Sequence, residues 1–354
     1  MGVGPFDHPL LGGLLGDEEI ASYLTAEAEI AEVLRFEREL VQAEEAEGIV
    51  PAGISEKLLP SFAAFTPDLP ALRKATARDG VIGVELVRQL REAVGGVNRQ
   101  FVHFGATSQD IVDTALVCRL EPILTIFEKR IVAATGQIDV LDRRFGGHRL
   151  MGRTRMQDAL PIVVSDRLAA WRAPLTRDLD RLNALRPRLL QLQFGGAAGT
   201  LDKLGSKGPA VVRRLAKALG LRMPERSWHS QRDSIVELAG WLALVTGSLG
   251  KIGLDVTLMA QNAMGEMTIE GGGGSSAMPF KSNPVGAEVL VALAHANATL
   301  AGGMNLSLLH EQERSGAAWT LEWLLLPQML MATGAALRTA VSMLGRVTRI
   351  GEAD

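Results

Sequence analysis

Apolar residues recur at helical spacing through most of the chain. The clearest case is a heptad repeat, in which apolar positions are separated alternately by three and four residues, as in packed helices. Between Glu237 and Glu266 only Lys251 and Asp255 are charged, so apolar residues surround this helix and it should be buried on several sides. The repeat consists of Ile235, Leu238, Leu242, Val245, Leu249, Ile252, Val256 and Met259.

Start and stop signals divide the rest of the chain into helices. "TSQD" at 107–110 and "SQRD" at 230–233 are capping-box patterns. Pro174 and Pro187 should kink a helix rather than end it if neighbours hold it in place. No run alternates apolar and polar residues as a hairpin would. The predicted helices are an amphipathic one at about 17–47, then long ones at about 107–145 and 161–193, one starting at 230–233, one starting at 283–284, and one at about 315–348 with a break near Pro327.

Five long helices make a bundle, and a helix of about 35 residues is about 50 Å long. A single chain cannot surround such a helix, and its apolar faces in water would form a large exposed patch. We therefore predict an all-α homo-oligomer whose subunits share the bundle. The expected domains are a smaller N-terminal helical domain at 1–106 and a central long-helix bundle at 107–354. A monomeric scaffold remains the alternative, although no repeat of fixed period supports a solenoid.

Composition excludes several classes of protein. The 354 residues are 47% hydrophobic and 22% charged, which is typical of a globular chain with a sizeable core. The net charge is −3 and no Lys/Arg run occurs, so neither nucleic acid nor a membrane surface is an expected partner. The single cysteine, Cys118, excludes a disulfide framework and a Cys-based zinc site. The N-terminus has no signal-peptide pattern, so we expect a cytoplasmic protein.

The segment at 269–284, "IEGGGGSSAMPFKSNP", is longer than a connection between two helices needs. Its glycines allow backbone N–H groups to converge on an anion, and two serines and Lys281 add hydroxyl groups and a cation. A disordered Gly-Ser linker would share the composition but has no need of "MPFKSNP". The pattern favours a lid that takes part in chemistry.

Three segments resemble those of one enzyme family. The segment at 274–284 matches every fixed position of G-S-S-x-M-P-x-K-x-N-P, and "VHFGATSQD" at 102–110 and "MGRTRMQDALP" at 151–161 follow the family order. This pattern resembles the fumarase/aspartase superfamily of homotetrameric lyases, and the resemblance covers nearly the whole chain. It implies that Ser275 is the base that removes a proton beside a carboxylate, and that Lys281 and Asn283 steady the resulting carbanion.

The resemblance also implies a substrate-binding set and an assembly. Thr107 and Ser108 would bind a substrate carboxylate, which suits hydroxyl and N–H groups at a helix N-terminus. For each member a capping, structural or surface role is the alternative. The resemblance implies no cofactor and no metal, a homotetramer with active sites shared between subunits, and a C-terminal domain that is largely absent here. The implied substrate-binding residues are His103, Thr107, Ser108, Arg153, Gln193, Gln231, Ser276, Met278, Asn283 and Arg314.

One departure from the family pattern changes the expected reaction. Most members have G-R-T-H where this chain has "GRTR", so Arg155 stands in the place of a histidine that assists the leaving group. An arginine is always protonated and cannot act as a general acid. A carboxylate leaving group needs only a cation, so the resemblance points to the lactonizing branch of aromatic catabolism, which adds a substrate carboxylate across a C=C bond. Arg155 would hold that carboxylate, and Arg153 would either bind the polyanion or form a structural salt bridge.

Two other functions stay open at this point. A lyase that eliminates an amine, such as adenylosuccinate lyase, would need His103 or His310 as its acid. A crystallin-like or scaffold protein would keep the fold without the chemistry. Metal-dependent cycloisomerases built on α/β barrels are disfavoured, because the sequence has no alternating strand-helix pattern and no carboxylate metal cluster.

Overall fold

The computed structural model describes residues 4–278 and 281–353. The helices in those residues are α1 (Gly12–Leu15), α2 (Glu18–Ser22), α3 (Ala26–Ala46), α4 (Ile54–Ala64), α5 (Leu69–Asp79), α6 (Gly83–Val94), α7 (Ser108–Phe145), α8 (Val164–Leu189), α9 (Gly208–Leu219), α10 (Asp233–Met259), α11 (Val285–Leu306) and α12 (Ala317–Leu344). The short strands are β1 (Arg149–Thr154), β2 (Gln157–Val163), β3 (Met267–Ile269) and β4 (Val347–Ile350), and two 3₁₀ turns cover Val97–Phe101 and Asp202–Lys207.

Five long helices form the bundle. The helix α10 packs against α8, α11 and α12, while α7 packs against α8 and α12. Every residue of the predicted heptad repeat on α10 is buried, from Ile235 to Met259. The prediction of an all-α long-helix bundle is confirmed, because the repeat forms the seam on which the neighbouring helices meet.

A second apolar core joins the N-terminal helices to the bundle. The helix α3 packs against α7 and α9, and the rings of Phe36 and Phe194 meet edge to face with their centroids 6.0 Å apart. This core contains residues from both sides of position 106, including Leu40, Ile111 and Leu215. The domain boundary at 106 stays a prediction.

Several predicted helix limits need correction. The helix expected at 17–47 is two helices, because the Thr25 hydroxyl accepts the Ala28 N–H and starts α3 afresh. The second capping box is wrong, since α10 begins at Asp233 after a buried Arg232. Pro327 lies inside a continuous α12, where the surrounding helices hold the chain in place.

Two proline positions and the longest helix were predicted correctly. Pro174 and Pro187 both lie inside α8, although that helix begins at Val164 rather than Pro161. The start of α7 directly after Thr107 and its end at Phe145 are as predicted.

The prediction missed the hairpin of β1 and β2. These strands pair antiparallel with Thr154 opposite Gln157, so the turn consists of Arg155 and Met156 alone. Both turn residues have positive φ, 50° and 67°. A two-residue turn of this type usually carries Asn-Gly, and an Arg-Met pair gives no such signal in the sequence.

Three helices, α10, α11 and α12, are long and apolar enough to cross a membrane by length and composition. In α10 and α12 more than half of the most apolar 18-residue window is buried within the chain, but in α11 only 28% is. The apolar face of α11 therefore lies uncovered in a single chain.

Candidate active site

The first candidate group lies at the start of α7 and is organised by Asp110. Its fully buried carboxylate accepts hydrogen bonds from the Thr107 N–H at 2.9 Å, the Gly195 N–H at 2.9 Å and the Gly196 N–H at 3.0 Å. Its Oδ1 also lies 2.7 Å from Nε2 of His229. Asp110 thus joins the helix start to the glycine segment at 194–200 and to a buried histidine.

Arg314 contacts the same two segments from the far end of the sequence. Its Nη1 donates to Thr107 Oγ1 at 3.2 Å, and its Nη2 donates to the carbonyls of Gly196 and Ala197 at 3.4 and 3.1 Å. Thr107, Ser108 and Arg314 line one cavity of about 840 Å³. We call these three residues and the glycine segment the Thr107 cluster. It combines hydroxyl groups, a helix N-terminus and a cation, which together suit a carboxylate.

The two predicted glutamines lie in different environments. Gln193 is fully buried, and its Oε1 accepts the Trp228 N–H at 3.0 Å. Its Nε2 has no partner among the described residues. Gln231 is exposed, and its amide donates to the Ser227 carbonyl at 3.4 Å. Gln193 therefore supports the segment behind the Thr107 cluster, and binding of substrate by either glutamine stays a prediction.

A buried ionic cluster lies beneath the Thr107 cluster. Arg232, which is fully buried, donates two hydrogen bonds to Asp113 and two to Glu322. Burial opposes its charge, but the two carboxylates outweigh that effect and raise the pKa of Arg232. Trp319 Nε1 donates to Asp113 at 3.0 Å. The His310 side chain is fully buried, with Nε2 3.5 Å from Glu322 Oε1, and this burial counts against His310 as an acid that contacts a substrate.

His103 contacts a buried carboxylate on α3. Its Nδ1 lies 2.5 Å from Glu37 Oε1. Glu44, also on α3, is fully buried, and neither of its carboxylate oxygens has a partner among the described residues. Burial and the neighbouring Glu37 raise the pKa of Glu44 from 4.5 to about 9. Glu44 is therefore protonated at neutral pH.

The raised pKa of Glu44 predicts a pH-dependent stability. Between pH 4.5 and pH 9 the folded chain keeps a proton that the unfolded chain releases, so stability falls as pH rises, by up to about 1.4 kcal/mol per pH unit. Glu44→Gln should remove this contribution. Urea unfolding at pH 6 and pH 8.5 measures it: the wild type should lose more stability than the variant, and an equal loss in both would contradict the assignment.

The second candidate group is the Ser275 loop, which we define as residues 270–284. The backbone N–H and carbonyl groups of Gly273 and Asn283 bond to each other and close its neck. Within the loop, Ser275 Oγ accepts the N–H groups of Ala277 and Met278 at 3.4 and 3.1 Å. Asn283 Nδ2 donates to the Gly274 carbonyl at 3.3 Å. Of the predicted loop residues, Ser276, Met278 and Lys281 are exposed.

Two of the three predicted arginines, Arg153 and Arg155, occupy the β1–β2 hairpin. Arg153 pairs with Glu266 at 2.6 Å and with Asp158 at 2.9 Å, which connects the hairpin to the segment before the Ser275 loop. Arg155 lies exposed at the tip of the turn. The structural salt bridge considered for Arg153 is therefore present, and Arg155 is available to a partner molecule.

A single chain does not bring these groups together. The 38 residues of α7 span about 57 Å, with the Thr107 cluster at one end and the hairpin just after the other. The 27 residues of α10 span about 40 Å, from the buried ionic cluster to the segment that leads into the Ser275 loop. The residues predicted to bind one substrate therefore form two separate half-sites. One is the Thr107 cluster, and the other is the Ser275 loop with the β1–β2 hairpin.

Sequence reasoning missed the groups that support the half-sites. Asp110 was expected only to cap a helix, and Glu37 and His229 were not expected at all. His229 lies between Trp228 and the predicted Gln231 in the sequence. The available signal was a histidine two residues before Gln231, which the resemblance already implied as a substrate-binding residue.

The fold and both half-sites define a class of enzyme. The family model described as a lyase matches residues 74–296, more than half of the chain. The chain belongs to this family, within the fumarase/aspartase superfamily.

Named relatives point to one branch. The chain is 40% identical over 318 residues to 3-carboxy-cis,cis-muconate cycloisomerase of Pseudomonas aeruginosa, covering 88% of this chain and 69% of that protein. It is 37% identical to the enzyme of the same name from Acinetobacter baylyi, covering 94% of this chain and 73% of the relative. The crystal structure of the 3-carboxy-cis,cis-muconate lactonizing enzyme of Pseudomonas putida superposes with a TM-score of 0.90 at 36% identity, over 96% of this chain and 77% of the other.

Proposed function

We propose that this chain is a 3-carboxy-cis,cis-muconate cycloisomerase, which closes a carboxymuconolactone in the catabolism of aromatic compounds. The observation that carries the proposal is Arg155, a permanent cation at the position where amine-eliminating members have a histidine. A fixed cation can hold a carboxylate but cannot protonate a leaving amine. The similarity to named cycloisomerases supports the same choice.

The reaction is an isomerisation in which every atom of the substrate is retained. A carboxylate oxygen of the substrate attacks one carbon of a C=C bond and forms the lactone C–O bond. The electron pair of the double bond moves to the other carbon, which lies beside a second carboxylate. Ser275 gives its hydroxyl proton to that carbon, and the alkoxide that remains takes up a proton from solvent before the next turnover. Because nucleophile and alkene belong to one molecule, binding the right conformer supplies much of the rate.

The environment of Ser275 supports its role as the proton carrier. A serine alkoxide is stable only among preorganised donors, and the N–H groups of Ala277 and Met278 already point at Ser275 Oγ. Lys281 and Asn283 lie in the same loop and would stabilise the carboxylate-bearing carbanion. Closure of the loop would exclude water and strengthen these interactions.

The Thr107 cluster would bind another carboxylate of the substrate. Arg314 supplies a cation and the N-terminus of α7 supplies a helix dipole to this half-site. The two half-sites would meet between subunits of a cytoplasmic homotetramer, and the uncovered apolar face of α11 supports such an assembly. The proposed lactone-forming reaction needs no cofactor.

The proposal is tested by supplying the purified protein with 3-carboxy-cis,cis-muconate and following the loss of its diene absorbance. We expect turnover, with no change after dialysis against a chelator. Adenylosuccinate serves as the comparison substrate and should not react. Turnover of adenylosuccinate alone would overturn the proposal, and sensitivity to the chelator would overturn its cofactor-free part.

A further inference from the structure

We propose that Glu37 is a positioning residue for substrate binding: it holds the ring of His103 so that Nε2 donates a hydrogen bond to a substrate carboxylate. This inference rests on the proposed function and assigns a partner outside the family motifs. Glu37 acts only through His103.

The geometry leaves one ring nitrogen for the substrate. His103 Nδ1 lies 2.5 Å from Oε1 of Glu37, and the Glu37 side chain is only 1% exposed. A carboxylate accepts, so Nδ1 carries a proton and Nε2 is the remaining hydrogen-bonding atom of the ring. Among the described residues Nε2 has no partner, and it is not one of the buried atoms. When the ring is protonated, Nε2–H is a donor for an anion.

The loop that carries His103 packs against the Thr107 cluster. His103 has a φ of 60°, an uncommon conformation for a residue with a side chain. A Cβ on Gly196 would lie 2.8 Å from the Gly105 carbonyl oxygen, so the loop before Thr107 rests directly on the glycine segment. Asp110 bonds to that glycine segment and to Thr107. The imidazole therefore has a fixed position relative to Thr107.

The charges around Glu37 leave His103 as its partner. Glu44, the other acid facing it on α3, is neutral because its pKa is raised to about 9. Two cations at the C-terminal end of α3 are engaged there: Lys207 binds the Gly48 carbonyl and Arg214 binds Glu47. On α7, Arg119 pairs with Glu29, and Asp110 faces the glycine segment and His229. Glu37 Oε2 has no partner among the described residues.

The test compares Glu37→Leu with Glu37→Gln and with Glu44→Gln. ¹⁵N NMR of labelled histidine, assigned with His103→Gln, should show the Nδ1–H tautomer at pH 8 in the wild type and in Glu37→Gln but not in Glu37→Leu. In calorimetry with propane-1,2,3-tricarboxylate at pH 6, the Kd of Glu37→Leu should be at least about 10-fold larger than that of the wild type. Glu37→Gln should recover part of that loss, and Glu44→Gln, which places a neutral group where one already exists, should match the wild type.

The combination of tautomer and affinity separates positioning from a structural defect. Glu37→Leu should change both the ring tautomer and the Kd, whereas Glu44→Gln should change neither. An unchanged Kd despite a changed tautomer, an equal loss in Glu44→Gln, or no tricarboxylate binding by the wild type would each overturn the inference. Failure to convert 3-carboxy-cis,cis-muconate, with Glu37-dependent tricarboxylate binding intact, would overturn the proposed function alone.

Discussion

Ser275→Ala is expected to lower kcat on 3-carboxy-cis,cis-muconate by about 10²- to 10⁴-fold, because it removes the group proposed to deliver the proton to carbon. The proposed oligomer should stay intact, since Ser275 lies in a loop outside the buried core. Ser276→Ala is the matched comparison, and loss of one hydrogen bond there should lower kcat/KM by at most about 10-fold. Stopped-flow or steady-state absorbance measures both. A Ser275→Ala enzyme within tenfold of the wild type would remove Ser275 from the mechanism.

The same variant also tests whether the half-sites meet between subunits. Ser275→Ala and Arg314→Met each inactivate a different half-site, so neither homo-oligomer should turn over substrate. If subunits share sites, oligomers formed by denaturing and refolding the two variants together contain some sites with both half-sites intact. Activity should then reappear in the mixture and not in either variant refolded alone. Mixed oligomers without activity would contradict shared sites.

Arg232→Met is expected to destabilise the folded chain by about 3–5 kcal/mol. The substitution leaves the buried carboxylates of Asp113 and Glu322 facing each other without their cation, and breaking a buried pair from one side has a cost of that size. Urea unfolding at a fixed protein concentration measures the loss. Activity should also fall. Gln109, at the start of α7, donates a hydrogen bond to Asp113, so the buried ionic cluster supports the helix start that belongs to the Thr107 cluster.

Arg188→Met is the matched control for that prediction. Arg188 also pairs with a carboxylate, Glu237, but both side chains are about half exposed. Solvent screens such a pair, so its removal should leave the unfolding midpoint almost unchanged. Equal midpoints for Arg188→Met and Arg232→Met would show that the buried cluster does not stabilise the fold.

The N-terminal half-site could be predicted only in part from the sequence. The hydroxyl groups of Thr107 and Ser108 follow from the capping pattern and the family motif, and Arg314 was a weaker choice. The contact of Arg314 with Thr107 spans 207 positions, and the contact of His103 with Glu37 spans 66. Such pairs have no local signature, because hydrogen bonds between distant segments depend on the packing of the helices that carry them.

The hairpin shows the opposite case, in which a local signal was missing. Its turn residues, Arg155 and Met156, adopt positive φ against their own preference. The neighbouring strand pairs and the ion pair of Arg153 with Glu266 hold that conformation. A pattern search for turns could not detect it, because the stabilising contacts come from outside the turn.

The sequence by itself determined the helical class, the heptad seam of α10 and the start of α7, and it predicted a reactive Ser275 loop, because these depend on side-chain spacing and on contiguous motifs. It also carried Arg155, whose fixed charge follows from its chemistry alone. The tertiary structure decided which groups support each half-site and that the half-sites lie at opposite ends of α7 and α10. The physical reason is length: rigid helices of about 40–57 Å hold apart residues that the proposed substrate would contact together.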